Sequence, residues 1–307
     1  MCFLRGLAAA VTVLALAGCG GESTDVTTDD QPGSRSEAPV VALPFGLEQV
    51  EGTRPIGRPV VYEQTAFNVN DQAVPTRSLR AAFRVTGDPG DVFERWIAQL
   101  SRLRLGEVAL RPETCGGGSV DGLMCSLSVY APPTPEGIGG DTVGLQMWAT
   151  DDLPVLLVWA SRRSDPGPET VVGGEFRGPT AVSSPTISWE DLEDPVLFVE
   201  QGSSIDVPDG AERLMPTIPV SAGTGGSYSV LSTDDAEGAI AALLSAARSS
   251  RSGEYAQVDG PTRSTVDGLT AVAASFNIPA GGWGFSAIAV EGEGDDLATL
   301  YVETYAD

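Results

Sequence analysis

The sequence predicts an α+β protein made of two tandem modules, each an antiparallel sheet with one packed helix in the order β-α-β-β-β. Three observations carry this. Short anchors recur in the same order in both halves, each half holds one capped amphipathic stretch, and each ends in alternating apolar segments separated by turn residues. The anchors are Pro44-Phe45-Gly46 with Pro208-Asp209-Gly210, Gly106-Glu107 with Gly253-Glu254, Val120-Asp121-Gly122-Leu123 with Val266-Asp267-Gly268-Leu269, and Asp151-Asp152-Leu153 with Asp295-Asp296-Leu297. A stretch around Val61 to Ser78 occurs in the first half only.

The elements follow in order. A strand at Leu79 to Val85 runs into Asp88-Pro89, an N-cap followed by proline at the first helical position. The helix then presents Val92, Phe93, Trp96, Ile97, Leu100 and Leu103 on one face. In the second half a strand at Tyr228 to Leu231 leads to Thr233-Asp234, and the Asp234-Asp235 pair reads as helix capping, where a carboxylate meets the helix dipole. A helix there presents Ala236, Ile240, Leu243, Leu244 and Ala247. Gly106 and Gly253 stand where these helices are expected to stop. Extended segments follow at Glu107 to Leu110, Leu123 to Tyr130, Val143 to Ala149 and Val155 to Ala160. Their counterparts are Glu254 to Val258, Leu269 to Asn277, Gly284 to Glu291 and Leu297 to Thr304. Helix against antiparallel sheet is the economical way to bury both apolar faces. This pattern is similar to small βαβββ modules of uncharacterised bacterial envelope proteins, a resemblance that implies an architecture and no activity.

The amino terminus has a different character. Arg5 precedes an apolar run from Leu7 to Leu16, and Leu16-Ala17-Gly18-Cys19 follows at a cleavage position. The run falls short of the ~20 residues that span a bilayer. These residues resemble the lipobox of bacterial lipoproteins. The resemblance implies cleavage after Gly18, acylation of Cys19, palmitate among the acyl groups, and anchoring to the extracytoplasmic face of the cell membrane. Residues 19–41, rich in Ser, Thr, Asp and Gly, read as a disordered acidic tether with a reach of roughly 25 Å. The expected organisation is a signal peptide over 1–18, the tether over 19–41, a first module over 42–163, a linker over 164–205 and a second module over 206–307; within the linker, Trp189, Val196, Leu197, Phe198 and Val199 suggest that it packs against the rest.

Composition narrows the chemistry. All 18 basic residues are arginine, histidine is absent, and the net charge is −24. This excludes histidine-based triads, a histidine zinc site, a Walker lysine and a lysine Schiff base. The acidity argues against nucleic acid as a partner. No cofactor is expected. Cys115 and Cys125 remain as an even extracytoplasmic pair, best read as a disulfide that stabilises by about 2.5–3 kcal/mol. The acidic turns at Asp151-Asp152 and Glu291 to Asp296 lack the spacing of a calcium loop and read as solvated hairpin tips, so no metal site is expected.

Seven arginines fall between Arg77 and Arg111. Strand alternation puts Leu79, Ala81, Phe83 and Val85 on one face and Arg80 and Arg84 on the other. That arginine face suits an anion, a wall carboxylate or an acidic partner; the plainer expectation is pairing with the chain's own surplus acids. Trp96 and Trp159 fit core faces. Trp148, Trp189 and Trp283 suit either a groove or the core. The expected role is non-enzymatic: binding or scaffolding in the envelope, towards an unidentified envelope protein or wall ligand, with the cleft between modules as contact surface. The alternative is a carboxylate-based hydrolase of wall polysaccharide.

Overall fold

The computed structural model describes residues 42–67, 73–106, 123–130, 142–148, 155–163, 169–171, 192–200, 203–219, 226–250, 256–278, 283–292 and 296–306. Cys19, Cys115, Asp151, Asp152 and Trp189, together with the signal and tether segments expected over 1–41, lie outside them. Among the described residues no helix is long and apolar enough to cross a membrane.

The first half contains strands β1 (Thr53–Pro55), β2 (Val60–Phe67) and β3 (Ala73–Val85), then helix α1 (Pro89–Leu100). After it come β4 (Arg104–Gly106), β5 (Leu123–Tyr130), β6 (Thr142–Trp148), β7 (Val155–Arg163) and β8 (Glu169–Val171). A hairpin of β9 (Val196–Glu200) and β10 (Ser203–Asp206) follows. The second half has β11 (Ala211–Arg213), β12 (Ile218–Pro219), β13 (Ser227–Thr233), helix α2 (Ala236–Arg248), β14 (Gln257–Val266), β15 (Leu269–Ile278), β16 (Trp283–Val290) and β17 (Ala298–Ala306). The protein is thus mostly antiparallel sheet with one helix in each half.

Asp88 caps α1, its carboxylate accepting from Asp91 N at 3.0 Å, with Pro89 in the first turn as the sequence predicts. The cap of α2 is Asp235, the second acid of the Asp234-Asp235 pair and one residue past Thr233-Asp234, and it accepts from Gly238 N at 2.8 Å. Neither helix stops on a glycine. Helix α1 ends at Ser101, where the chain tightens: Arg102 N donates to Gln99 O at 2.9 Å and Leu103 N to Leu100 O at 3.1 Å. The final carbonyls are satisfied by shorter turns and by the Arg102 side chain on Ala98 O, so the left-handed residue that glycine supplies is not needed. Gly106, expected as the stop, closes β4 instead. Gly253 lies outside the described residues.

The first sheet runs β1-β3-β7-β6-β5, with β2 also on β3; the second runs β11-β13-β17-β16-β15-β14, with β12 also on β13. β4 pairs with β8, a strand from the stretch expected to be linker, and takes no part in the first sheet. The stretch also contributes β9 and β10, whose Leu197 and Ile205 sit in the core beneath α2. Arg213 ties β9 in place, donating to the carbonyls of Asp194 and Val196 and to Thr217. Burial lowers the pKa of this guanidinium, and the Asp194 carboxylate partly offsets the effect.

Alternation along the strands creates two different buried faces per sheet. Leu79, Ala81, Phe83 and Val85 of β3, with Leu156, Val158 and Ala160 of β7, close against Val92, Phe93, Trp96 and Leu100 of α1. Leu300 and Val302 of β17, with Phe276 and Phe285, close against Ile240, Leu243 and Leu244 of α2. The remaining faces meet each other. Tyr62, Ala82, Val155 and Leu157 from the first sheet pack on Tyr228, Val230, Ile288 and Tyr301 from the second. The order is therefore helix, sheet, sheet, helix.

The segment present only in the first half serves this junction. It builds β2 and the long start of β3, and Glu63 N reaches Ser264 Oγ of β14 at 3.4 Å. At the turn before β2, Arg58 N donates to Thr299 Oγ1 at 2.8 Å, and Tyr301 hydroxyl donates to Arg58 O at 2.8 Å. The Val-Asp-Gly-Leu anchor of the second half is the β14–β15 hairpin turn. Asp267 and Gly268 both take positive φ (52° and 83°), as a two-residue hairpin with right-handed twist requires.

Candidate functional site

The parity that sends Leu79 and Ala81 towards α1 sends Arg80 and Ala82 into the junction between the sheets. Arg80 Nη2 donates to Glu303 Oε2 at 3.3 Å across that junction, and Nη1 donates to Leu79 O at 3.1 Å. Their side chains keep 16% and 33% of their surface exposed. Burial works against the charge of Arg80. The nearby Tyr62, Glu303 and Tyr228 more than offset this and hold its pKa above the ordinary value. Tyr228 stands behind the ion pair, fully enclosed, and its hydroxyl has no hydrogen-bond partner among the described residues. Burial pushes its pKa well above the ordinary phenol, although Arg80 pulls the other way.

Arg80 also lines a cavity of about 520 Å³ at the open end of the junction. Its inner wall includes Tyr62, Ser275 and Ser286, and its mouth is formed by Glu63, Asp259 and Thr262. The volume lies within the ~300–1,000 Å³ of small-molecule sites. Glu63 is held by Arg77, 3.8 Å away, and Arg77 also approaches Asp267 at 3.7 Å.

A β-bulge makes this mouth. Asp259 pairs with Ser275 and Thr262 with Ala273, so three steps on β14 answer two on β15. The extra residue keeps Asp259 and Thr262 on one face, although an unbroken strand would send them to opposite faces. Gly260 sits in the bulge at φ 89°, and a Cβ there would meet Ala273 O at 2.5 Å. Gly260→Ala is therefore expected to cost about 1–3 kcal/mol, read as a lowered midpoint of chemical denaturation, and to distort the cavity mouth.

The structure separates the two arginines that the sequence places on one face. Arg80 is enclosed between the sheets, because that face of β3 is covered by the second sheet. Arg84, four residues along, is exposed at the rim, beside Arg54 of β1 and Val155 of β7 in the register. They form no continuous cationic patch. Trp159, expected in the core, is only half-buried, since it pairs with Arg80 and shares its face beyond the apolar centre. Trp96 and Trp283 are buried, the latter with its ring 5.2 Å from that of Phe276. Trp148 stands on β6.

Cys125 stands on β5, and no disulfide is present among the described residues. At the acidic turn after β16, the described acids meet arginines. Arg263 reaches Glu291 at 2.8 Å and Glu237 at 2.6 Å, and Arg58 reaches Asp296 at 3.2 Å. The hydrogen bond to Glu237 is the main reason the Arg263 pKa is raised. Among the described residues no three His, Cys, Asp or Glu are gathered as a metal site would need.

Glu303, Tyr62 and Tyr228 escape sequence reasoning. The signal available was parity on β17: Leu300 and Val302 define one buried face, and Tyr301 and Glu303 fall on the other, so an acid stands beside a large ring where a solvated face was expected. Nothing in the sequence says that a second sheet covers that face. Comparisons with protein-family models, with curated proteins and with solved structures return no match.

Proposed function

We propose that this chain is a lipid-anchored binding protein of the bacterial cell envelope, held to the extracytoplasmic face of the membrane through acylated Cys19. The cavity between its sheets is the ligand-binding surface. Leu16-Ala17-Gly18-Cys19, after a short apolar run, supports the anchor. The observation that carries the binding role is the cavity itself, a recess of small-molecule size that ends on a side chain whose charge is satisfied inside the protein. Cys115 and Cys125 form a disulfide in this reading.

The two halves are tandem copies of one βαβββ module. The common strand orders β3-β7-β6-β5 and β13-β17-β16-β15 support this, as does the placement of each helix directly after β3 and β13. Duplication followed by sheet-to-sheet packing yields a junction lined by different residues on its two walls, which suits an asymmetric ligand.

The anchor has a direct test. Cys19→Ser is expected to abolish incorporation of labelled palmitate and to move the protein from the membrane fraction to the soluble fraction. Retention of label, or of membrane association in high salt, would refute the anchor. For the binding role, crosslinking in the native envelope is expected to trap a ligand or partner at residues of the cavity.

A further inference from the structure

We propose that the inter-sheet cavity binds a neutral saccharide of one or two rings; this rests on the binding role argued above. Four features of the lining point to that class. First, the cationic group at depth is already neutralised, since Arg80 donates to Glu303 at 3.3 Å. A free anion would compete with that carboxylate and approach a chain of net charge −24. Second, of the two acids at the mouth, Glu63 and Asp259, the first is shared with Arg77, and among the described residues no third carboxylate joins them as a bound metal cation would need.

Third, the polar atoms that remain suit hydroxyl groups. Arg80 carries five N–H donors, and its hydrogen bonds run from Nη1 to Leu79 O and from Nη2 to Glu303. Ser275 and Ser286 pair across β15 and β16 on the cavity wall, and Thr262 stands at the mouth. Each is both donor and acceptor, as is each hydroxyl of a sugar, so rows of such groups recognise one another without net charge. Fourth, Tyr62 and Ile288 supply apolar surface beside these hydroxyls, matching the mixed faces of a pyranose ring. A site built to hydrogen-bond hydroxyls discriminates strongly against analogues lacking them, because its own groups are then left unpaired.

The experiment is a ¹H–¹⁵N NMR titration of the purified full chain with maltose, cellobiose and N,N′-diacetylchitobiose. Succinate and putrescine serve as anionic and cationic probes. At least one disaccharide is expected to shift the amides of Thr262, Ser275 and Ser286 in a saturable way. Ser275→Ala with Ser286→Ala is expected to weaken that binding at least tenfold. Thr262→Trp, a change at an exposed position of the mouth, is expected to block it while leaving the spectrum of the helices intact.

Saturable shifts from succinate or putrescine and none from the sugars would overturn the proposal. So would sugar binding unaffected by all three substitutions, or the absence of any sugar-induced shift. In that last case, a crosslinked partner mapped to the cavity would leave the broader binding role standing, and failure of both measurements would remove both.

Discussion

Tyr301→Ala is expected to destabilise the protein by about 3–5 kcal/mol, which would make it one of the most damaging single truncations in the chain. Tyr301 is 1% exposed, packs in the junction with its ring 6.1 Å from Tyr228, and donates to Arg58 O at 2.8 Å. The truncation leaves a cavity between two sheets that cannot close without sliding past each other, and it leaves the half-buried Arg58 carbonyl without this donor. Tyr301→Phe keeps the ring and is expected to cost about 1–2 kcal/mol through the lost hydrogen bond alone. Chemical denaturation checks both, with a single transition for the whole body, since the two sheets share one core.

Alkaline pH probes the same junction. Burial raises the phenol pKa values of Tyr301 and Tyr228, with the backbone of Ala82 opposing it at Tyr301 and Arg80 opposing it at Tyr228. The folded state therefore holds these protons more tightly than the unfolded chain. Their contribution is complete below about pH 10, the ordinary phenol value, and is lost as pH rises from there towards the folded-state values. Tyr228→Phe is expected to flatten part of that alkaline loss by removing one titrating phenol, at little cost at neutral pH because its hydroxyl has no hydrogen-bond partner among the described residues.

Arg80→Met is expected to cost about 2–3 kcal/mol. Breaking a fully buried ion pair typically costs about 3–5 kcal/mol, and the residual exposure of 16% for Arg80 and 33% for Glu303 admits solvent that screens part of it. The loss comes from Glu303, left charged against Tyr228 and without its donor. Replacing both partners, as Arg80→Met with Glu303→Leu, is expected to recover most of the stability, because two apolar groups of similar volume pay no desolvation of charge. Denaturation midpoints of the two single variants and the double variant give the coupling. If Arg80→Met leaves the midpoint unchanged, Arg80 does not work as a paired internal charge.

Much of the local structure was legible in the residues. The 3.6-residue spacing from Val92 to Leu100, with Asp88-Pro89 before it, defines α1, and five apolar positions of α2 bury as their spacing requires. Segments such as Leu123–Tyr130 and Leu269–Ile278 were readable from alternation alone. The helix stops were not, because Gly106 suggests a left-handed cap where short turns and the Arg102 side chain satisfy the carbonyls instead. Nor was the role of β9 and β10. Pro-, Gly- and Ser-rich flanks mark a linker, and Val196 to Val199 signal that it packs, yet the core that Leu197 and Ile205 join is one that only the packed second sheet creates.

The candidate site was half legible. Alternation correctly places Arg80 on the face of β3 opposite Leu79 and Phe83, but the same rule places Arg84 there too, and the two have different fates. Alternation reports which residues share a side of a strand. It does not report what lies across from that side, which depends on a chain segment more than 200 residues away.

By itself the sequence determined the local order of this protein: its chemical exclusions, its two capped amphipathic helices, and the strands that flank them. These depend on neighbours three or four positions away, on side-chain period, and on which groups are present at all. The tertiary structure alone decided that the second faces of the two sheets meet. That meeting encloses Arg80 with Glu303, and together with one extra residue on β14 it opens a cavity beside them. Long-range packing sets such contacts, because a half-polar strand face is satisfied equally by water or by a partner sheet of matching charge and shape. Only the second sheet's arrival chooses between them.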